Sequence, residues 1–432
     1  MSRSLSTISH WLSEARGLLR GLRGYVFRIV AVIAAMQTMV VAILITLTQL
    51  RKRRQTPREG YPWESQPEIE LESGGVWFKI YPQGGELFEE MLAEIERAER
   101  EIFVETFIWK GDETGQRFVE ALARKAREGV DVYAIFDGVA NFLVVPAEFK
   151  DFPPEINTLH FRPPSNPANC VDPRTIFRDH RKILCVDDRV AFVGGFNIGS
   201  FYASGSWRDT HLRVRGMEVS ELKNAFIDFW NEHHPGDLPA IQTDNRPRSW
   251  VSDAVLHRND PYLRIFPIRA VYLEAIDRAM SRIYLTSAYF IPDKALRGSL
   301  IAAAGRGVDV QILLPRDSNH PTVDWLSRRH WYELLDNGVR IFGYENIMIH
   351  SKTATIDGVW STIGTANIDR LSLLQNYEVN LEVYDRNLAE QVERMFELDK
   401  TNALEITRDT WTRRPLPAKI AERAISSLEP LF

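Results

Sequence analysis

The chain has 432 residues, 44% hydrophobic and 26% charged, with a net charge of −5, which excludes wholesale disorder and suggests two or three domains. The charge is uneven: residues 1–60 hold ten Arg/Lys and two Glu, leaving 43 basic against 56 acidic residues beyond them, a net of −13. An acidic body argues against a nucleic-acid enzyme, which usually carries a positive footprint.

Leu5, Ile8, Leu12, Ala15, Leu19 and Leu22 recur at helical spacing among arginines. That pattern fits an amphipathic helix lying on a membrane or a weakly ordered basic tail. Ile29 to Leu50 follows, 22 residues without a charge. As a helix it is about 33 Å long, enough for the ~30 Å hydrocarbon core. A cleaved signal would have a shorter apolar run followed by small residues, whereas this one ends in Arg51-Lys52-Arg53-Arg54. A retained, single-pass transmembrane helix is the expectation. Basic residues flank both ends, so counting them does not orient it. Two cysteines, Cys170 and Cys185, are too few for a disulfide framework and fit a reducing compartment. They favour an inner-membrane protein whose body faces the cytoplasm.

Gln55 to Glu68 is a polar linker with Pro57, Pro62 and Pro67. Beyond it the chain repeats itself. Glu101–Gly138 and Arg282–Arg316 each read as apolar strand, polar loop, amphipathic helix, Gly turn, then the strand beginning GVDV. Strand–helix–strand order with continuous apolar strands predicts α/β units with a largely parallel sheet. The expected organisation is residues 1–60 as basic segment, anchor and linker, 61–245 as a first half and 246–432 as a second.

Each half carries one strand with an unusual load. His180, Lys182, Asp187, Gly194 and Asn197 recur at the same intervals as His350, Lys352, Asp357, Gly364 and Asn367. Residues i and i+2 of a strand share a face, roughly 6.6 Å apart, so each imidazole and ammonium point together. Asp187-Asp188 and Asp357-Gly358 read as two-residue hairpin turns. That register places Thr365 opposite His350 and puts Asn197 and Asn367 on the faces of their histidines. The two aspartates are motif members and so catalytic candidates, although a turn position favours a structural role for both.

Two such halves facing each other give two lysines and two asparagines to hold a tetrahedral anion between two histidines. That set suits phosphoryl transfer with one nucleophile and one general acid. Asp209, 22 residues after Asp187, and Glu378, 21 after Asp357, fall in alternating stretches and are candidates to orient the imidazoles. No pairing of Cys and His at zinc-ligand spacing and no Gly-rich nucleotide loop is present, so neither metal nor cofactor is expected. The apolar stretch Asn141 to Val145 and the stripe Ile420, Ala424, Leu428 are further candidates for lipid contact, although an ordinary core or surface role is the commoner one for either.

The paired motifs, H-x-K-x(4)-D-x(6)-G-x-x-N, resemble those of the phospholipase D superfamily over nearly all of residues 75–432. ETFIW at 105–109, FVGGFNIG at 192–199, WRDTHLRV at 207–214 and SAYFIPD at 287–293 are similar to bacterial cardiolipin synthases in particular. The resemblance implies an α-β-α sandwich in each half, a phosphohistidine intermediate, a second histidine protonating the leaving alcohol, and no metal. It implies phosphatidylglycerol as substrate and no obligate protein partner. A lipid hydrolase is the nearest alternative and a nuclease a more distant one. By family habit His180 is the nucleophile and His350 the acid.

Overall fold

The computed structural model describes residues 69–144, 152–162, 177–242 and 253–414, with scattered positions outside them. Most of the apolar segment 29–50 lies outside the described residues; those of it that are described are helical. Among the described residues no helix is long and apolar enough to cross a membrane. Ile420, Ala424 and Leu428 also lie outside them, as do Cys170 and the side chains of 142–145.

Eighteen strands are described, and sixteen of them form two eight-stranded sheets. The first sheet contains β1 (Ile69–Ser73), β2 (Val76–Tyr81), β3 (Glu101–Thr106), β4 (Asp131–Asp137), β5 (Asn157–Phe161), β6 (Ile183–Val186), β7 (Val190–Gly194) and β9 (His211–Arg215). The second contains β10 (Ala254–Asn259), β11 (Arg282–Ser287), β12 (Asp309–Pro315), β13 (Arg340–Tyr344), β15 (Lys352–Ile356), β16 (Trp360–Gly364), β17 (Glu378–Tyr384) and β18 (Ala403–Ile406). Two short strands, β8 (Trp207–Arg208) and β14 (Met348–Ile349), pair with each other and tie the halves together.

The orders are β1-β2-β9-β7-β6-β3-β4-β5 and β10-β17-β16-β15-β11-β12-β13-β18. Seven strands correspond, from β2 and β10 at one side to β5 and β13 at the other. Each sheet is mixed rather than largely parallel. Only β3, β4 and β5, and likewise β11, β12 and β13, run parallel. The motif strands β6 and β15 enter antiparallel and turn back at once into β7 and β16. A tight turn permits only an antiparallel neighbour, so the motif hairpin itself sets the mixed character.

Helices cover both faces of each sheet. Alternation along β3 sends Phe103 to one core and Ile102 and Val104 to another. The helices Gly84–Glu96 and Glu113–Arg127 pack Leu87, Phe88, Phe118 and Leu122 against the second of these. Asp112 starts the latter helix by accepting from Gly115 N at 3.1 Å. On the opposite face Glu218–His233 packs Phe226 and Trp230 into a core that also contains Val379 and Leu381 of β17. One core therefore draws on both halves. Cys185 is buried in it.

The hairpin register differs by one residue from the two-residue count. Ile356 pairs with Trp360, and Val186 with Val190, so three residues make each connection. Asp187, Asp188, Asp357 and Gly358 all have positive φ, between 51° and 65°. Asp and Gly tolerate that left-handed turn, which is why the signal was legible while the exact pairing was not.

Candidate active site

Each motif histidine is held by the other half. The backbone N–H of His180 donates to Tyr377 O at 3.0 Å, beside the isolated bridge between Asp179 and Tyr377. The N–H of His350 donates to Arg208 O at 2.6 Å, at the end of the β8–β14 pair. Glu378 follows Tyr377, and Asp209 follows Arg208. Each contact thus delivers a carboxylate to the imidazole opposite. His180 Nδ1 lies 3.0 Å from both Glu378 oxygens, and His350 Nδ1 lies 2.6 Å from Asp209 Oδ2. Glu378 and Asp209, the carboxylates singled out in the sequence, are the ones in contact with the imidazoles, exchanged between the halves.

All these groups are buried. A carboxylate on Nδ1 selects the Nδ1–H tautomer and leaves Nε2 as the lone-pair nitrogen of both rings. Lys352 Nζ is also 2.9 Å from His350 Nδ1. That nitrogen cannot accept from the ammonium while donating to Asp209, and the carboxylate is the stronger partner. Lys182 Nζ donates to His180 O at 2.7 Å, and Lys352 Nζ donates to His350 O. The i, i+2 spacing read from the sequence therefore folds each ammonium back beside its own histidine.

Burial, with the neighbouring Lys352, pushes the Lys182 ammonium down to about 7 despite Glu378. Burial pushes Lys352 down to about 8 against the pull of Asp209 and Glu378. Burial and Lys352 take the His350 imidazole down to about 3, and burial with both lysines holds His180 well below its usual value. The carboxylates part company. Burial lifts Glu378 to about 7 in spite of Lys182 and the Thr365 hydroxyl. Burial acts on Asp209 too, but Lys352 and His350 outweigh it and hold the group below the ordinary range.

Asn197 and Asn367 lie just past the ends of β7 and β16, both buried. Asn197 Oδ1 accepts from Ile108 N at 3.0 Å, and Asn367 Nδ2 donates to Ser372 Oγ at 3.5 Å. Among the described residues neither carboxamide is hydrogen-bonded to an imidazole or ammonium of the motif. The Oδ1 of Asn367 has no protein partner there, which leaves a buried acceptor for another group.

Asp187 and Asp357 are corrected from catalytic candidates to structural ones. Asp187 accepts from the N–H groups of Glu99, Arg100 and Glu101 at 2.7–3.0 Å. Asp357 accepts from those of Met280, Ser281 and Arg282 at 2.8–2.9 Å. Seven residues of extended chain separate each from its histidine, about 23 Å. Their place in the motif follows from the hairpin: they cap the entry to β3 and β11, beside which the motif strands run.

Several contacts involve residues with no individual signal as site residues, although Glu105, Phe107, Trp207, Arg208 and Tyr289 lie in the stretches ETFIW, WRDTHLRV and SAYFIPD. The ring of Phe107 meets His180 edge-on, with centroids 4.9 Å apart. Trp207 lies 4.8 Å and Tyr289 6.0 Å from His350. Thr365 Oγ1 donates to Glu378 Oε2 at 2.5 Å. Gly195, its counterpart, has no room for a side chain: an added Cβ would meet Asp209 Oδ1 at 2.0 Å. Behind the first motif, Arg181 is buried between Asp179, at 3.2 Å, and Glu105. Arg208 joins the halves through a bidentate pair with Asp399 at 3.0 and 2.8 Å. Among the described residues no group of three His, Cys, Asp or Glu side chains is placed to hold a metal ion.

Residues 91–230 and 272–400 match the family described as cardiolipin synthase, PLD-like domain. A cardiolipin synthase of Clostridium perfringens is 30% identical over 375 residues, covering 82% of this chain and 76% of that protein. Cardiolipin synthase 1 of Staphylococcus epidermidis is 34% identical over 364 residues, covering 82% and 74%. The fold is similar to that of the phosphatidylserine synthase of Haemophilus influenzae, with a TM-score of 0.64 at 14% identity, covering 84% of this chain and 96% of that one. The two matched segments contain both motif strands and both carboxylates that contact their histidines, and on that match the chain belongs to the cardiolipin synthase family with a phospholipase D-like domain.

Proposed function

We propose that the chain is a membrane-bound phosphatidyltransferase that converts two phosphatidylglycerols into cardiolipin and glycerol. The observation that carries this reading is the exchanged pair of histidine–carboxylate contacts. They present two imidazole Nε2 atoms beside two buried ammonium groups at one seam.

The phosphodiester anion sits between Lys182 and Lys352, with Asn197 and Asn367 available to its oxygens. Burial and the lysines keep the imidazoles neutral; the negative charge of the phosphodiester offsets the lysines, which raises both rings. His180 Nε2 attacks phosphorus, and the P–O bond to glycerol breaks as His350 gives its Nε2 proton to the leaving oxygen. The phosphatidyl group is then bonded to His180. His350, now neutral, takes the proton from the hydroxyl of a second phosphatidylglycerol. That oxygen attacks phosphorus, the P–N bond breaks, and both histidines return to their starting state. Glu378 and Asp209 stabilise the positive charge on each ring in turn. The ammonium groups supply the positive charge that such a step needs, so activity is expected to survive a chelator.

Segment 29–50 is the single-pass anchor, at the inner membrane with the body on the cytoplasmic side. Residues 61–245 and 246–432 form the two halves. The test is mass analysis of lipids after purified full-length protein is incubated with phosphatidylglycerol. Cardiolipin with one glycerol released per molecule is expected; phosphatidic acid as the main product makes the protein a hydrolase.

A further inference from the structure

The pseudo-symmetry exposes one segment that the second half has and the first lacks. Tyr81 of β2 pairs with His211, two residues after Asp209. His257 of β10 pairs with Asn380, two residues after Glu378. From Tyr81, two residues, Pro82 and Gln83, lead to the helix at Gly84. From His257, nine residues, Arg258 to Phe266, lead to the helix at Pro267. The extra length forms a closed loop. Asp260 and Ile265 exchange backbone hydrogen bonds at 2.8 and 2.9 Å, and Asp260 Oδ1 accepts from Leu263 N at 2.9 Å.

The tip of this loop is apolar and outward. Leu263 is 61% exposed and Ile265 51%, with Tyr262 beside them. Arg264 lies between them at a φ of 58°, a left-handed conformation uncommon for arginine. The neck hydrogen bonds hold it there. The Asp260 carboxylate closes back on the loop at Leu263 N, and Arg264 is exposed at the tip. The fold does not need the segment, because the first half makes the same strand-to-helix step without it.

Its position gives it a use. Asn259, the residue before the loop, pairs with Glu378, which holds His180. The loop therefore leaves the sheet at the catalytic edge, not at the far edge where the Asp357 turn lies. We propose that Asp260–Ile265 is an interfacial loop that seats the catalytic edge on a bilayer containing phosphatidylglycerol. Leu263 and Ile265 enter the acyl boundary, and Arg264 meets the anionic headgroups. This rests on the lipid-transferase reading and adds how a body with a net charge of −13 approaches an anionic surface: one apolar tip carries one cation.

The experiment places an environment-sensitive fluorophore on Leu263→Cys in a Cys170→Ser background, since Cys185 is buried. The full chain is reconstituted in phosphatidylglycerol vesicles. Met280→Cys is the control, because Met280 is 86% exposed and sits at the far edge beside Asp357. Blue-shifted emission, quenched by a lipid-borne quencher at 263 and not at 280, is expected. Equal water exposure at the two sites overturns the proposal. The double variant Leu263→Glu/Ile265→Glu should keep turnover of a dissolved aryl phosphodiester within about two-fold and lose about ten-fold on vesicles. Undiminished vesicle turnover also overturns it. Should the lipid product prove to be phosphatidic acid, the synthase reading fails while the label still decides the loop.

Discussion

The two halves build the same imidazole–carboxylate pair from different parts. His350 faces Asp209, and the short side chain fits because position 195 is glycine. His180 faces Glu378, one carbon longer, and the space that Gly195 leaves open is filled by Thr365, whose hydroxyl holds the carboxylate. The surroundings differ as well. Behind His180 lie Asp179, Arg181 and Glu105, a buried ionic cluster. The second half has Ile349, Ser351 and Thr286 at the matching positions, and Ser351 shares a 2.7 Å hydrogen bond with Thr210. A duplicated site has thus become two unlike partners. The carboxylate lifted to about 7 serves His180, and the one held low serves His350. A low-pKa carboxylate favours the imidazolium of a proton donor, which suits His350 as the acid.

The most severe way to break this comparison is to remove either ring. His180→Ala and His350→Ala should each lose about 10³-fold or more in lipid turnover. They should differ with an aryl phosphodiester, whose phenolate leaves without a proton. His350→Ala is expected to keep partial burst release and His180→Ala to show none. The reverse pattern would exchange their roles.

Gly195→Ala tests the steric half of the comparison. The new methyl group cannot coexist with Asp209 in its present place, so the His350 contact should be lost, with kcat falling about 10²-fold. Thr365→Ala removes the hydroxyl that donates to Glu378 and also bonds the Val379 backbone, and it leaves Glu378 within reach of His180. A loss of about ten-fold or less is expected. Equal losses for the two variants would show that the halves are interchangeable after all.

The pH profile separates the carboxylates further. In the free protein Glu378 titrates at about 7, Lys182 at about 7 and Lys352 at about 8. The kcat/KM of the wild type should fall below pH 7 as Glu378 is protonated and fall above pH 7 as first Lys182 and then Lys352 lose charge. In Glu378→Gln the acid limb should move to lower pH, and the alkaline limb should move to lower pH with it, because the Glu378 charge supports both ammonium groups. An unmoved acid limb would remove Glu378 from the assignment.

The smallest effect is on stability. The folded-state value of Glu378 is raised, so its favourable contribution is fully present below the ordinary value of 4.5 and is lost as pH rises to about 7. Glu378→Gln should therefore gain in melting temperature over wild type at pH 8 and lose that advantage near pH 4. Asp209 has the opposite sign: its depressed value adds stability above the ordinary carboxylate range, lost as pH falls. Asp209→Asn should melt below wild type at pH 8, and thermal scans at the two pH values read both variants.

The sequence by itself determined the duplication, the two motif strands and the face that His and Lys share. These depend on intervals of two residues along a strand and on repeats that local periodicity records. It also marked Asp209 and Glu378, because a carboxylate in an alternating stretch is conspicuous, although Asp209 lies between β8 and β9 and only Glu378 is inside a strand. Tertiary structure alone decided that the carboxylates are exchanged. That follows from the β8–β14 pair and the Asp179–Tyr377 bridge, which join positions 141 and 198 residues apart in their consequences for His350 and His180. No local pattern encodes such a pairing, since both carboxylates look alike until the two halves close on one core. The same holds for Gly195 and Thr365, whose difference means nothing until the side chains that occupy or need the space are in place. For Asp187 and Asp357 the turn position is legible in the sequence, and tertiary structure adds only which neighbouring strand each carboxylate caps.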